Sequence, residues 1–483
     1  MILSKPLKTL SLAAMAAGAL LLAGCNDTLR QFIVPVPKPG GNPAANANAV
    51  ILSTNPTGDG SDMHIDVSGD TIVGIVSVGP NPVFLGKTPG RAYVIDGNNT
   101  VSSYIALLPL TSSLNTVTMP AATVNLVAGG TSSSGNFYTA NMGSNDSNMI
   151  SSAVLAVTQV VPVGAGPVAV AGNAGNSKMY IINHGDNTVT VVSTTDNTVI
   201  KTIPVGMQPI WGVMSTDAVD VFVVNQRDGT VSVIDTTLDI VITTIKVGAT
   251  ATPQPNFAYY EPNRERVYVS NTGENTVSII KADGINLGVT PQILPTLLKN
   301  VAVSGTPVSV AALNDGSKAY AALGNCPAGT NHTNLLANLG SCNGNLLSVI
   351  DAQAVTETQT VTVGTGAVSV DVSLDATRAY VVSAHDITTI RDNVHMPNCT
   401  ANCLPGPVLP DRTFSTPSIY IIRAATGAIV GTPEDPSIVS RPLPSFVAPK
   451  QNSGCMAAID PNFNSIVPMP CAIQTPFMVR IFP

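Results

Sequence analysis

Three stretches near the middle of the chain spell nearly one pattern: KMYIINHGDNTVTVV (178–192), DVFVVNQRDGTVSVID (220–235) and RVYVSNTGENTVSII (266–280). Each has an alternating apolar run, then Asn, a short polar connector, Thr-Val, and a second alternating run. The aromatic anchors Tyr180, Phe222 and Tyr268 lie 42 and 46 residues apart. Alternation marks half-buried strands, and the Asn/Asp/Gly connector tolerates the positive φ of a hairpin turn. A third strand follows (197–206, 239–248), then a Val-Gly step, then a Pro-led strand (208–213, 254–259). A four-stranded unit repeating at this period is a propeller blade, and no window sustains the helical period.

Weaker copies extend the array. Equivalent anchors are Tyr93, Tyr138, Tyr180, Phe222, Tyr268, Tyr320 and Tyr380, seven in all; Val-Gly steps recur at Val78-Gly79, Val163-Gly164, Val205-Gly206, Val247-Gly248 and Val363-Gly364. The expected fold is all-β, a seven-bladed β-propeller of four-stranded antiparallel blades over residues 61–431, because closing the ring removes long exposed edges. Two segments compete to be the outer strand of the last blade, 71–78 (TIVGIVSV) and 427–431 (GAIVG). RVYVSN followed by NTVSII resembles the YVTN-family propeller repeat over about residues 71–431. That resemblance implies a seven-bladed ring in exported or surface proteins and no single activity.

The N-terminus carries an address. Lys5 and Lys8 precede an apolar run from Leu10 to Leu22, which reads as a signal-peptide core and ends in Leu22-Ala23-Gly24-Cys25. This resembles a bacterial lipobox. It implies removal of residues 1–24, acylation of Cys25 by palmitate-type chains, and membrane anchorage through the lipid. Asn26 after the Cys implies sorting to the outer membrane, the body facing periplasm or cell surface. Residues 25–60 read as anchor and Pro/Ala/Asn-rich tether, and 432–483 as a Pro-rich C-terminal wrap. Six other cysteines remain: Cys326, Cys342, Cys399, Cys403, Cys455 and Cys471. In an oxidising compartment they suggest three disulfides; fifteen pairings are possible, and proximity favours 326–342, 399–403 and 455–471. Only 11% of residues are charged, and without the leader 20 basic and 29 acidic side chains leave a net charge of −9. No nucleic-acid footprint exists in such a balance.

Two insertions, 324–345 and 385–416, fall between the second and third strands of neighbouring blades. They are expected to meet over one face as a disulfide-stapled lid. His184, His332, His385 and His395 lie on that face with Asp186, Arg227, Asp228, Glu274, Asp386, Arg391 and Asp392. Trp211, Tyr259, Tyr260 and Glu261 belong to inner strands. The ligand-face candidates are His184, Trp211, Arg227, His332, His385, Asp386 and His395. No nucleophile elbow, zinc-protease motif or phosphate loop appears, so no catalytic residue is assigned and no cofactor is expected. The expected function is a non-catalytic binding scaffold for an envelope protein, glycan or small ligand. The alternatives are a lactonase-type hydrolase, or a metal-binding or redox accessory propeller with a metal ion on His385 and His395.

Overall fold

In the computed structural model, residues 47–54, 59–67, 70–88, 90–107, 114–121, 123, 125–172, 177–282, 294–390, 412–429, 443–444 and 475–482 are described; the side chains of 71–73, 385–390, 412–418, 443–444, 475–476 and 482 are not. They form eight four-stranded antiparallel sheets. The inner strands of neighbouring sheets lie side by side around a closed ring. The propeller expectation holds and the blade number is corrected from seven to eight.

Blades one to seven are the seven units marked by the anchors, with inner strands Phe84–Thr88, Leu126–Thr131, Pro167–Ala171, Pro209–Met214, Pro255–Glu261, Ser309–Ala312 and Ala367–Val372. The eighth is built from both ends of the sequence. Its inner strand is Thr475–Phe482, and its other three are Asn48–Thr54, Asp59–Asp66 and Thr71–Pro80. Residues 71–78 therefore do close the ring, as the outer strand of an additional blade. Of the competing segment, Ile429 makes an isolated bridge to Ile422, and blade seven takes its outer strand from Leu443–Pro444. The stretch read as tether to residue 60 and the stretch read as a C-terminal wrap both contribute strands to the ring. Closure by distant segments is invisible to a local repeat, and that is why the count fell one short.

The repeat has a physical explanation at each position. The Asn that ends the second strand holds the third: Asn183 Nδ2 donates to Thr188 Oγ1 (3.0 Å) and Thr190 Oγ1 (2.9 Å). Asn225 does the same to Thr230 and Ser232, and Asn271 to Thr276 and Ser278. That inner hydroxyl in turn accepts the N–H of the Val-Gly glycine arriving from the preceding blade, as Ser278 does from Gly248 at 2.9 Å. Glycine is required at the step because a Cβ on Gly164 would lie 2.5 Å from Asn183 Nδ2.

All seven aromatic anchors are fully buried. Each contributes about 2–3 kcal/mol of apolar burial. Several also clip one blade to the next. Tyr138 donates to Asn197 Oδ1 (2.5 Å), Tyr180 to Asp239 Oδ1 (2.7 Å) and Tyr380 to Asp70 Oδ1 (3.4 Å). The acceptor is always the left-handed residue of the next blade's outer turn, with φ of 59°, 53° and 53°. Asn and Asp tolerate that conformation. A basic residue two positions before the Tyr strengthens the clip: Lys178 Nζ lies 2.7 Å from Asp239 Oδ2, and Arg378 chelates Asp70.

Where the turn position holds Leu155, Val355 or Gly427, the facing hydroxyls of Tyr93, Tyr268 and Tyr320 are buried without a partner. Val355→Asn is expected to relieve about 1–2 kcal/mol of left-handed strain and give Tyr268 an acceptor worth about 1 kcal/mol. Thermal unfolding should shift upward, and an unchanged or lowered midpoint would refute the clip.

Candidate functional site

The insertion in blade six roofs the channel mouth. A disulfide between Cys326 and Cys342 closes it. Inside that loop are a helical turn, Leu335–Asn338, and a tighter turn, Leu339–Ser341, with Leu335 and Leu339 buried. The loop reaches across the ring. Asn331 Nδ2 donates to Gln226 Oε1 of blade four at 3.2 Å, and His332 Nε2 donates to the Val168 carbonyl of blade three at 2.7 Å. The His332 ring meets Trp211 edge-on, with centroids 5.0 Å apart. Burial lowers the His332 pKa to about 4, so the imidazole is neutral and its Nδ1 is an acceptor with no partner.

Trp211 is a channel filler. Its Nε1 donates to the Ala258 carbonyl (3.2 Å), and its ring packs on Phe257 (4.8 Å) and on Phe84 of blade one (6.4 Å). Two spaces flank this plug. One is a small cavity of about 40 Å³ on the channel axis, bounded by Trp211, Phe257, Ser309, His332, Ser369 and Arg480 among others. The other is a cleft of about 390 Å³ between Leu336 of the plug and blades eight, one and two. Its walls are Thr54, Asn81, Val83, Asp96, Gly97, Asn99, Asn125 and Leu126. Asp96 is its one ionisable lining residue. Burial pushes that carboxyl up to about 7, against the pull of the Ser102 (2.8 Å) and Thr100 (3.2 Å) hydroxyls.

The structure separates the sequence candidates. His184 hydrogen-bonds the Pro209 carbonyl through Nδ1 at 3.2 Å, and Arg227 is exposed on a hairpin tip. Asp186, Asp228 and Glu274 are braces: each carboxylate accepts backbone N–H groups of the adjacent Val-Gly loop, from Ala165 (2.9 Å), Met207 (2.7 Å), and Ala249 and Thr250 (2.6 and 2.8 Å). Glu261 accepts from Asn263 and Arg264 N–H in its own turn. Tyr260 packs against Phe222, and Tyr259 belongs to the same inner strand.

His385 and Asp386 lie in the second strand of blade seven, Arg378–Ile390, their side chains outside the described residues. The second insertion begins there as a continued ladder, from Asp386↔Thr416 to Ile390↔Arg412, where a lid loop was expected. Arg391, Asp392 and His395 fall outside the described residues, as do Cys25, Cys399, Cys403, Cys455 and Cys471. Among the described residues, no three His, Cys, Asp or Glu side chains group as a metal site.

One cluster escaped the sequence reading. His64 sits mid-strand in blade eight, its Nδ1 2.7 Å from Asn48 Oδ1 and its Nε2 2.8 Å from the Tyr104 hydroxyl of blade one. That hydroxyl is 2.7 Å from Asp62 Oδ2. Asn48 Nδ2 donates to the Ala106 carbonyl (3.0 Å), so Asn48 Oδ1 accepts and His64 Nδ1 carries hydrogen. In the neutral imidazole, Nε2 then accepts from Tyr104, and Asp62 must be protonated to donate to the tyrosine oxygen. Burial acts the same way on both groups, pushing Asp62 up to about 8 and His64 down to about 4. The signal in the sequence was SDMHID, where Asp and His replace the apolar or hydroxyl residues of other blades.

No family model matches the chain, and no curated protein matches its sequence. Solved structures do resemble it. A dihydro-heme d1 dehydrogenase, NirN, in complex with DHE superposes with a TM-score of 0.57 at 12% identity, covering 85% of this chain and 76% of that one. The periplasmic gluconolactonase PpgL of Pseudomonas aeruginosa gives 0.48 at 14% identity, covering 66% and 97%. Hydrazine synthase of Kuenenia stuttgartiensis gives 0.47 at 15% identity, covering 63% and 93%. At these identities the likeness is one of fold.

Proposed function

We propose that this protein is an exported, lipid-anchored propeller of the cell envelope that binds a neutral, hydroxylated ligand of sugar size in the cleft beside the plug, without transforming it. The observation that carries the reading is the lining of that cleft. About 390 Å³ suits a small ligand. The amides of Asn81, Asn99 and Asn125 offer donors and acceptors without charge, and Val83, Leu126 and Leu336 supply an apolar wall. Hydrolysis of a lactone needs a positioned acid or base. Asp96 alone is ionisable there; its Oδ2 accepts from Thr100 and Ser102, and its Oδ1 is buried away from the cleft space without a partner, so no second ionisable group stands by to share proton transfer. The YVTN-like repeat and the lipobox-like Leu22-Ala23-Gly24-Cys25 support export and anchorage.

Two measurements test this. In cell fractionation, Cys25→Ala should move the protein from membrane to soluble fractions; retention in the membrane would remove the anchor. In a saccharide array, the soluble body should bind neutral sugars, and Asn125→Arg at the exposed rim should weaken binding at least tenfold. Lactone hydrolysis abolished by Asp96→Asn would replace the binding reading with the hydrolase.

A further inference from the structure

The small axial cavity has chemistry of its own, independent of the cleft. Arg480, on the closing strand, lines it. Its guanidinium donates to the Val479 carbonyl (3.1 Å) and lies 5.9 Å from the Phe257 ring centroid. Among the described residues it has no ion-pair partner within 4 Å. The carboxylate whose charge acts on it, Asp371, already accepts from two backbone N–H groups, Val372 to Oδ1 (2.9 Å) and Ile481 to Oδ2 (3.0 Å). A second cation, Lys87, is half-buried in the same neighbourhood with its ammonium on the Ile481 carbonyl, and its charge acts on Asp371 and Arg480 alike. Arg480 is thus a half-buried charge with no counter-charge in contact, and the hydration it has lost is not made good by an ion pair.

Another lining residue is of the other kind. His332 Nδ1 is a buried acceptor with no donor. Ser309 and Ser369 line the same space. Each accepts a backbone N–H, from Val370 (3.4 Å) and Val479 (3.2 Å), and so has its own hydrogen to give. The space, about 40 Å³, holds two or three water-sized groups.

We infer that this cavity binds a small planar oxyanion bearing one O–H group, the bicarbonate class, with its oxygens on Arg480 and the two serines and its hydroxyl on His332. The guanidinium fork matches a planar oxyanion. The lone pair of His332 selects for the hydroxyl, which formate lacks. At pH 8 inorganic phosphate brings about two negative charges against one guanidinium, and chloride has no planar pair of oxygens for the fork.

Trp211 is the chain's single tryptophan and forms part of the wall, so its fluorescence reports occupancy in the unmodified protein. At constant ionic strength and pH 8, bicarbonate should give a saturable change with millimolar affinity. Formate should bind five- to tenfold more weakly, and phosphate and chloride should not compete. Arg480→Met should abolish the response. His332→Leu should bring bicarbonate down to the affinity of formate while leaving formate unchanged. No saturable response of the wild-type protein to bicarbonate up to 100 mM would overturn the inference, whatever the variants do. So would equal affinity for bicarbonate and phosphate, or binding that survives Arg480→Met. The saccharide array is unaffected by either outcome, so the two readings fail separately.

Discussion

Arg378→Met is expected to cost the folded ring about 3–5 kcal/mol, read as a lowered denaturant midpoint. Arg378 Nε and Nη2 each lie 3.0 Å from Asp70 Oδ2, and the two side chains are 4% and 3% exposed. The residues are 308 positions apart, and they join blade seven to the outer turn of blade eight. Burial already raises the Asp70 pKa despite the guanidinium, so removing Arg378 strands a carboxylate that must be protonated to stay inside. Adding Asp70→Asn should recover most of the loss, since Asn keeps the left-handed turn and carries no charge. Lys178→Met breaks the equivalent clip between blades three and four, where the partners are 20% and 8% exposed, and should cost about 1 kcal/mol. Equal losses in the two single variants would show that closure has no special dependence on this pair.

The second large effect is a gain. Asp62→Asn should stabilise the protein by up to about 5 kcal/mol at pH 8 and by almost nothing at pH 4. Asp62 holds its proton to about pH 8 in the folded chain, against an ordinary value of 3.8. Between those limits the native state binds a proton that the unfolded state has released, so stability falls as pH rises. His64 works in reverse. Its pKa falls to about 4 from 6.5, so below 6.5 the unfolded chain takes up the extra proton and stability falls as pH falls. From about pH 4 to 6.5 the two slopes cancel. In that same window Asp96 and Asp220, which burial raises to about 7, each add a falling slope and His332, lowered to about 4, adds a rising one, so stability still falls gently; above 6.5 the histidine slopes end, and above about 7 the Asp62 slope remains of these groups. The amide introduced by Asp62→Asn would offer Tyr104 the same donor without a proton to lose. Chemical denaturation across pH 4–9 checks this, and a destabilised variant at pH 8 would show that Asp62 is ionised in the fold.

Much of the ring was legible because each blade solves the same local problem with the same residues. The seven anchors, the Asn that ties two strands and the Val-Gly step all report contacts made within one blade or with its neighbour. Blade eight carries only one of these marks, the Val78-Gly79 step at the end of its outer strand. Its second strand, Asn48–Thr54, has no aromatic anchor, and its third places Asp62 and His64 inside. Its inner strand lies some 420 residues away. Of the site, the plug and its Cys326–Cys342 staple were visible as an insertion with paired cysteines. The cleft was not, because Asn81, Asn99 and Asn125 read as ordinary turn residues, and in fact have φ of 48°, 59° and 57°. Asp186, Asp228 and Glu274 read as solvated hairpin tips because a carboxylate on backbone N–H groups and one in water look alike in sequence.

The division of blade eight between distant segments sets a timetable for biogenesis. Residues 48–80 emerge first, yet their inner edge stays unpaired until residue 482 has been made. At 5–20 residues per second that is a wait of roughly 20–80 s. An unpaired strand edge invites association with other chains. The nascent protein therefore spends its synthesis as an open arc whose free edge is covered only when the last strand snaps home.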